Sequence, residues 1–133
     1  MSGYSRNGVY NHVASAIASE HANAFCTSRY VPKPPSFPAC YIHEIDNFRT
    51  LGALQLDFED VQCESVFEIQ VISDLKGTAA SEAYSIMETA KAAFNELYYR
   101  QFSETTYDTV ETFMVVCRFR RVIGGGDILP QNS

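Results

Sequence analysis

The sequence predicts an α+β domain: a mainly antiparallel four-stranded sheet with helices packed on one face, in the order α-β-β-α-β-β. Three segments carry that expectation. Residues 59–74 set Val61, Cys63, Phe67, Ile69 and Val71 against Gln62, Glu64, Glu68 and Gln70. This is the period of an antiparallel strand with one covered face and one wet face. Residues 109–123 repeat it, with Phe113, Val115, Cys117 and Phe119 on one face and Thr112, Arg118 and Arg120 in the other. Between them, Ala83, Ile86, Met87, Ala90, Phe94 and Leu97 recur at helical spacing, with Glu82, Glu88, Lys91 and Glu96 mostly off the stripe.

The elements follow in order. Val9, Val13, Ala16, Ile17 and Ala24 predict a first helix over residues 9–26, capped by Asn7 or Ser5. Its many Ala and Ser residues keep it thin enough to lie close against a sheet. Residues 29–38, RYVPKPPSFP, hold four prolines, which forbid a helix and favour a stiff extended connector. The connector reads as the approach to a strand rather than as a ligand for an aromatic groove. That strand is residues 39–48, ACYIHEIDNF. Residues 49–58 place Leu51, Leu54 and Leu56 where a surface loop is usually polar, so these side chains either fold back on the core or wait for a partner. After the 59–74 strand, Lys76 and Gly77 make a turn, and Thr78 or Ser81 caps a second helix over residues 79–99. A short strand over 102–107 and the long one over 109–123 complete the domain, residues 1–123. Residues 124–133, GGGDILPQNS, form a flexible tail tipped with Ile128 and Leu129.

Composition narrows the function. The chain has 133 residues, 46% hydrophobic and 20% charged, which suits one globular core and excludes wholesale disorder. Sixteen acids against ten Lys and Arg give −6, which argues against gripping nucleic acid through the overall field. No segment approaches the roughly 20 apolar residues of a membrane helix, and MSGYSRNG lacks the apolar run of a signal peptide, so a soluble cytoplasmic protein is expected. Cys26, Cys40, Cys63 and Cys117 stand apart, as do His12, His21 and His43, without zinc-ligand spacing. The cysteines read as core or near-core residues.

Length supplies a further hint. A strand of about fifteen residues at ~3.3 Å each spans roughly 50 Å. A compact domain of this size is about 36 Å across. Either the strands are broken by bulges or they project as arms that a neighbouring subunit covers.

Reactive constellations are few. The glycine run at 124–126 has no following helix or Lys-Ser/Thr, so it is a linker and not a P-loop. His43 and Glu44, with Asp46 nearby, suggest a base or a metal site, but consecutive strand residues point to opposite faces and cannot converge. Arg118, Arg120 and Arg121 are the one basic cluster; Arg118 and Arg120 share a strand face and suit ion pairing with Glu64 and Glu68, across the sheet or between subunits, better than nucleic-acid binding. No catalytic, cofactor-binding or metal-ligating residue is nominated.

FPACYIHEIDN after a proline-rich connector, VISDLKGTAASEAYSIMETA, LYYRQF and TYDTVETFMVVCRFRRVIG occur in an order that resembles the small tail-completion, or tail terminator, proteins of long-tailed bacteriophages, over residues 30–123. The shared features are an aromatic-Pro approach to the first strand and its acidic end. A Ser-Glu-Ala helix start follows a Lys-Gly turn, and Arg stands near the end of the last strand. The chain departs from that pattern around 109–114, where Glu111 and Phe113 stand in place of a basic residue. The resemblance implies a non-enzymatic virion subunit of the tail and neck, assembled in the bacterial cytoplasm. It implies a homo-hexameric ring that binds no cofactor or membrane, caps the tail tube protein, meets the head-tail connector and lets DNA pass without specific binding. The expected contact residues are Arg49, Leu51, Leu54, Leu56, Phe58, Glu64, Glu68, Arg118, Arg120, Ile128 and Leu129. A head-completion or stopper protein of the same neck is the nearest rival, and a small ligand-binding or enzymatic α+β domain the more distant one.

Overall fold

The structure is a computed structural model that describes residues 6–49, 63–74, 77–109 and 111–123, without the side chains of Phe48, Arg49 and Cys63. The described residues form an α+β fold of two helices and a five-stranded mixed sheet. The elements are α1 (Arg6–Glu20), β1 (Phe25–Thr27), β2 (Ala39–Arg49), β3 (Cys63–Ser73), α2 (Ala79–Glu96), β4 (Arg100–Asp108) and β5 (Phe113–Ile123). The strand order is β1-β2-β3-β5-β4. Every pairing is antiparallel except β1 with β2.

That parallel edge strand corrects the four-stranded antiparallel expectation. The first helix does not run on to Cys26. It closes with the His21 N–H on the Ile17 carbonyl at 2.7 Å, and a turn places the Ala24 N–H on the His21 carbonyl. Phe25, Cys26 and Thr27 then extend, and the Phe25 N–H donates to the Pro38 carbonyl at 2.9 Å. The proline-rich connector, with a cis Phe37–Pro38 bond, brings the chain back so that Ala39 lies beside Phe25.

Both helices cover one face of the sheet. Val9, Val13 and Ile17 of α1, spaced four apart, meet Ala83, Ile86, Met87, Ala90, Ala93 and Phe94 of α2. Cys40, Ile42, Phe67, Ile69, Val71, Val115, Cys117 and Phe119 close the core from the sheet. Phe94 is its aromatic centre. It stacks on Phe119 at 4.3 Å between centroids and meets Phe67 and Tyr99 at 5.9 and 5.6 Å.

The last strand is shorter than expected, and the one before it is described from Cys63 onward. Both β3 and β5 have 11 residues, about 36 Å at ~3.3 Å each, which matches the domain's width. Thr109 and Thr112 are not part of the strand, because Thr109 takes its backbone and side-chain hydrogen bonds locally with Thr112. Residues 59–62, which the expected strand and its arm include, lie outside the described residues, as do residues 124–133. No bulge interrupts the pairing of β3 with β5, where length suggested one; the two bulges lie between Glu44 and Asp46 in β2 and between Gln101 and Ser103 in β4.

Turn chemistry holds in part. Gly77 takes φ 79°, which glycine allows freely. Thr78 is the N-cap of α2 but makes no side-chain cap bond; the first turn is tied instead by Ser73 Oγ donating to Glu82. The helix ends before Tyr99 because Tyr98 adopts φ 66°. The Tyr98 and Tyr99 N–H groups return to the Asn95 and Phe94 carbonyls, a Schellman-type close with tyrosine in the usual glycine position.

Candidate interaction surface

Among the described residues, no helix or strand packs on the side of the sheet away from α1 and α2, and its register arranges that side in rows. Ala39, Ile72, Met114 and Tyr107 form one row; Thr27, Tyr41, Gln70, Val116 and Thr105 the next. His43, Glu68, Arg118 and Ser103 follow, then Asp46, Val66, Arg120 and Arg100, and lastly Glu64 beside Val122.

The charges on this face satisfy one another. Arg118 Nε donates to Glu68 Oε2 at 2.9 Å, with the carboxylate nearly buried and the guanidinium half exposed. Arg120 reaches Glu64 at 3.7 Å and holds its guanidinium 5.3 Å from the centroid of Phe102, which bulges out of β4. The ion pairing expected for Glu64, Glu68, Arg118 and Arg120 is therefore made within one chain, across β3 and β5. Among the described residues, Asp46, Glu64 and Glu68 balance Arg100, Arg118 and Arg120, so these rows carry no net charge in a chain whose net charge is −6.

Aromatic and apolar groups border it. Tyr30, Phe102, Tyr107 and Val122 are among the exposed large hydrophobic side chains of the described residues. Tyr30 leans on Tyr41, and Tyr41 stacks on His43 at 4.0 Å. In the middle, Val66, Glu68 and Val116 are buried, although α1 and α2 pack on the opposite side of the sheet. A 420 Å³ groove follows β3, β5 and β4 past Gln70, Ser103, Thr105 and Tyr107. It ends on β4, the edge strand of the sheet among the described residues, whose nine residues are all exposed but Ser103.

His43 and Glu44 diverge, as alternation requires. His43 lies on the open face, its Nε2 3.7 Å from Glu68 Oε1 and its buried Nδ1 without a hydrogen-bond partner among the described residues. Burial lowers its pKa below the ordinary histidine value, and Glu68 offsets that only in part. Glu44 lies under α1, where its carboxylate accepts from Arg6 Nε at 2.8 Å, Ser65 Oγ at 2.6 Å and Asn47 Nδ2 at 3.1 Å. Ser65 Oγ also meets Tyr99 Oη at 2.8 Å. This network fastens the start of α1 to the bulge of β2. It is built for positioning, since the carboxylate is saturated with donors.

Among the described residues, no group of three or more His, Cys, Asp or Glu side chains is arranged to hold a metal. Cys117, which touches Glu104 at 3.7 Å, has its thiol pushed up to about 12, chiefly by burial, and is a poor nucleophile there.

Of the contact residues expected from the sequence, Glu64, Glu68, Arg118 and Arg120 come together on the open face. Arg49 closes β2 opposite Cys63, and its side chain is not described. Leu51, Leu54, Leu56, Phe58, Ile128 and Leu129 lie outside the described residues. Sequence reasoning did not nominate Tyr41, His43, Phe102 or Tyr107. The signal was present for Tyr41 and His43, which alternate with the buried Cys40 and Ile42; Phe102 needed the bulge.

No protein-family model matches the chain, and no curated protein matches it significantly.

Proposed function

We propose that this chain is a non-enzymatic structural subunit of a phage neck, a tail terminator working as a homo-hexameric ring. The ordered motifs that resemble tail-completion proteins suggest the class. The observation that carries the reading is the neutral, aromatic-bordered sheet face with an exposed edge strand, on a protein that is otherwise acidic. A neutral face of that kind suits contact with protein, where charge left unpaired is costly. The acidic remainder suits a ring through which DNA slides without sticking.

In this reading one side of the ring docks on the last ring of tail tube protein and ends tube growth. The other receives the connector of the filled head. The mechanism is geometric, and the internal Glu68–Arg118 and Glu64–Arg120 pairs keep the open face neutral before a neighbour arrives.

Electron micrographs of particles assembled without this protein test the proposal. Tails of uncontrolled length, or tails lying loose beside filled heads, are expected. Normal virions refute the role. Regular-length tails with heads that have lost their DNA place the protein in the stopper layer instead.

A further inference from the structure

We propose that Cys26 and Cys40 form a vicinal dithiol site that a low-molecular-weight disulfide oxidises to an intramolecular disulfide, clamping β1 to β2. Cys26 and Cys40 are register partners on adjacent parallel strands, so their side chains leave the sheet on the same side. Neighbouring strands lie about 4.8 Å apart. That is inside the roughly 4.4–6.8 Å between Cα atoms that a disulfide spans, so the register brings the two backbones within its reach. Both thiols are free; Cys40 is fully buried and Cys26 is partly exposed, which gives one sulfur that reagents reach and one that waits behind it.

The local chemistry favours the exposed sulfur as the first to react. A hydrogen bond from the Cys40 thiol lowers the Cys26 pKa, outweighing the effect of burial. The same bond, with burial and the nearby Cys26 charge, raises Cys40. Tyr10 packs beside both, its hydroxyl raised by burial and then by the two sulfurs.

The reaction balances as two exchanges. The Cys26 thiolate attacks one sulfur of R–S–S–R, forms a Cys26–S–S–R bond and expels RS⁻. Once Cys26 is capped it carries no charge and accepts no proton from Cys40, so two of the causes that raised Cys40 vanish. Cys40 then loses its proton to water, attacks Cys26 Sγ and expels the second RS⁻. Two protein thiols are oxidised and one small disulfide is reduced to two thiols. The closed loop holds the proline-rich connector and Tyr30, so oxidation also pins one border of the open sheet face.

The test uses the full chain and oxidised glutathione, with digestion by trypsin, which cuts after Arg29 between the two cysteines. The expected product is the Cys26 peptide joined to the Cys40 peptide, a mass loss of two hydrogens per chain, and a raised melting temperature that dithiothreitol reverses. Cys40→Ser is expected to stop at the glutathione adduct on Cys26, and Cys26→Ser to resist the reagent at both positions. Phenylarsine oxide, which bridges paired thiols, is expected to bind the folded, reduced wild type through Cys26 and Cys40, read by peptide mass, and to bridge neither position in the variants. Free Cys26 and Cys40 after prolonged exposure, disulfides made through Cys63 or Cys117, or cross-links only between chains overturn the proposal.

Discussion

Neutralising Glu68 and truncating Arg118, singly and together, measures how firmly the open face is paired within one chain. The two side chains meet at 2.9 Å, with Arg118 48% exposed and Glu68 9% exposed. Two unit charges about 4 Å apart attract by roughly 1 kcal/mol when screened as in water, and by about 4 kcal/mol at an effective dielectric near 20. The half-exposed guanidinium places the pair near the weaker limit, and ordering a long arginine offsets part of the gain. The coupling expected from the cycle of Glu68→Gln and Arg118→Met is therefore about 1 kcal/mol. Glu68→Gln keeps an acceptor for Gln70 Nε2, which donates to Glu68 at 3.0 Å, so the cycle reads the charge and not a lost packing group. Urea unfolding near neutral pH supplies the four stabilities. Repeating it in about 1 M salt, where screening acts within ~3 Å, is expected to cut the coupling by more than half. Additivity within about 0.3 kcal/mol at low salt refutes the pairing, and with it the account of a face neutral by internal compensation.

Phe94→Ala removes the ring at the centre of four packed aromatics and is expected to cost about 3–5 kcal/mol in denaturant unfolding; a loss below about 1 kcal/mol contradicts the core described above. Glu44→Ala is expected to cost about 1–3 kcal/mol, because it removes the buried carboxylate that accepts from Ser65 Oγ and Arg6 Nε beneath α1, and more than Arg6→Ala, whose side chain is largely exposed. His43 has a folded pKa below its ordinary 6.5, so the unfolded chain binds its proton first. Stability is full above that value and falls as pH drops through it toward the folded pKa. His43→Gln is expected to flatten that part of the stability–pH curve, and an unchanged curve rules out His43 as its source.

The strongly periodic parts of the fold were legible before any coordinates. The stripe of α2 and the alternation of β3 and β5 each follow from one covered face, and Glu64, Glu68, Arg118 and Arg120 could be placed together because they share strand faces. What escaped was set by contacts distant in sequence. β1 is three residues long and follows an Ala-rich helix whose local preferences run on past Glu20; only pairing with Ala39, delivered by the connector, makes it a strand. The Cys26–Cys40 juxtaposition depends on the same return. The bulges after Glu44 and at Phe102 shift which side chains face solvent, and no local pattern marks them. The neutrality of the open face emerged only once register had put Asp46 and Arg100 in the same row.

Sedimentation equilibrium of the purified full chain, alone and with tail tube protein, tests the central proposal most directly. A six-chain particle that associates with the ends of preformed tubes and halts their growth is the predicted result. A chain that stays monomeric at every concentration and leaves tube growth unchanged contradicts it.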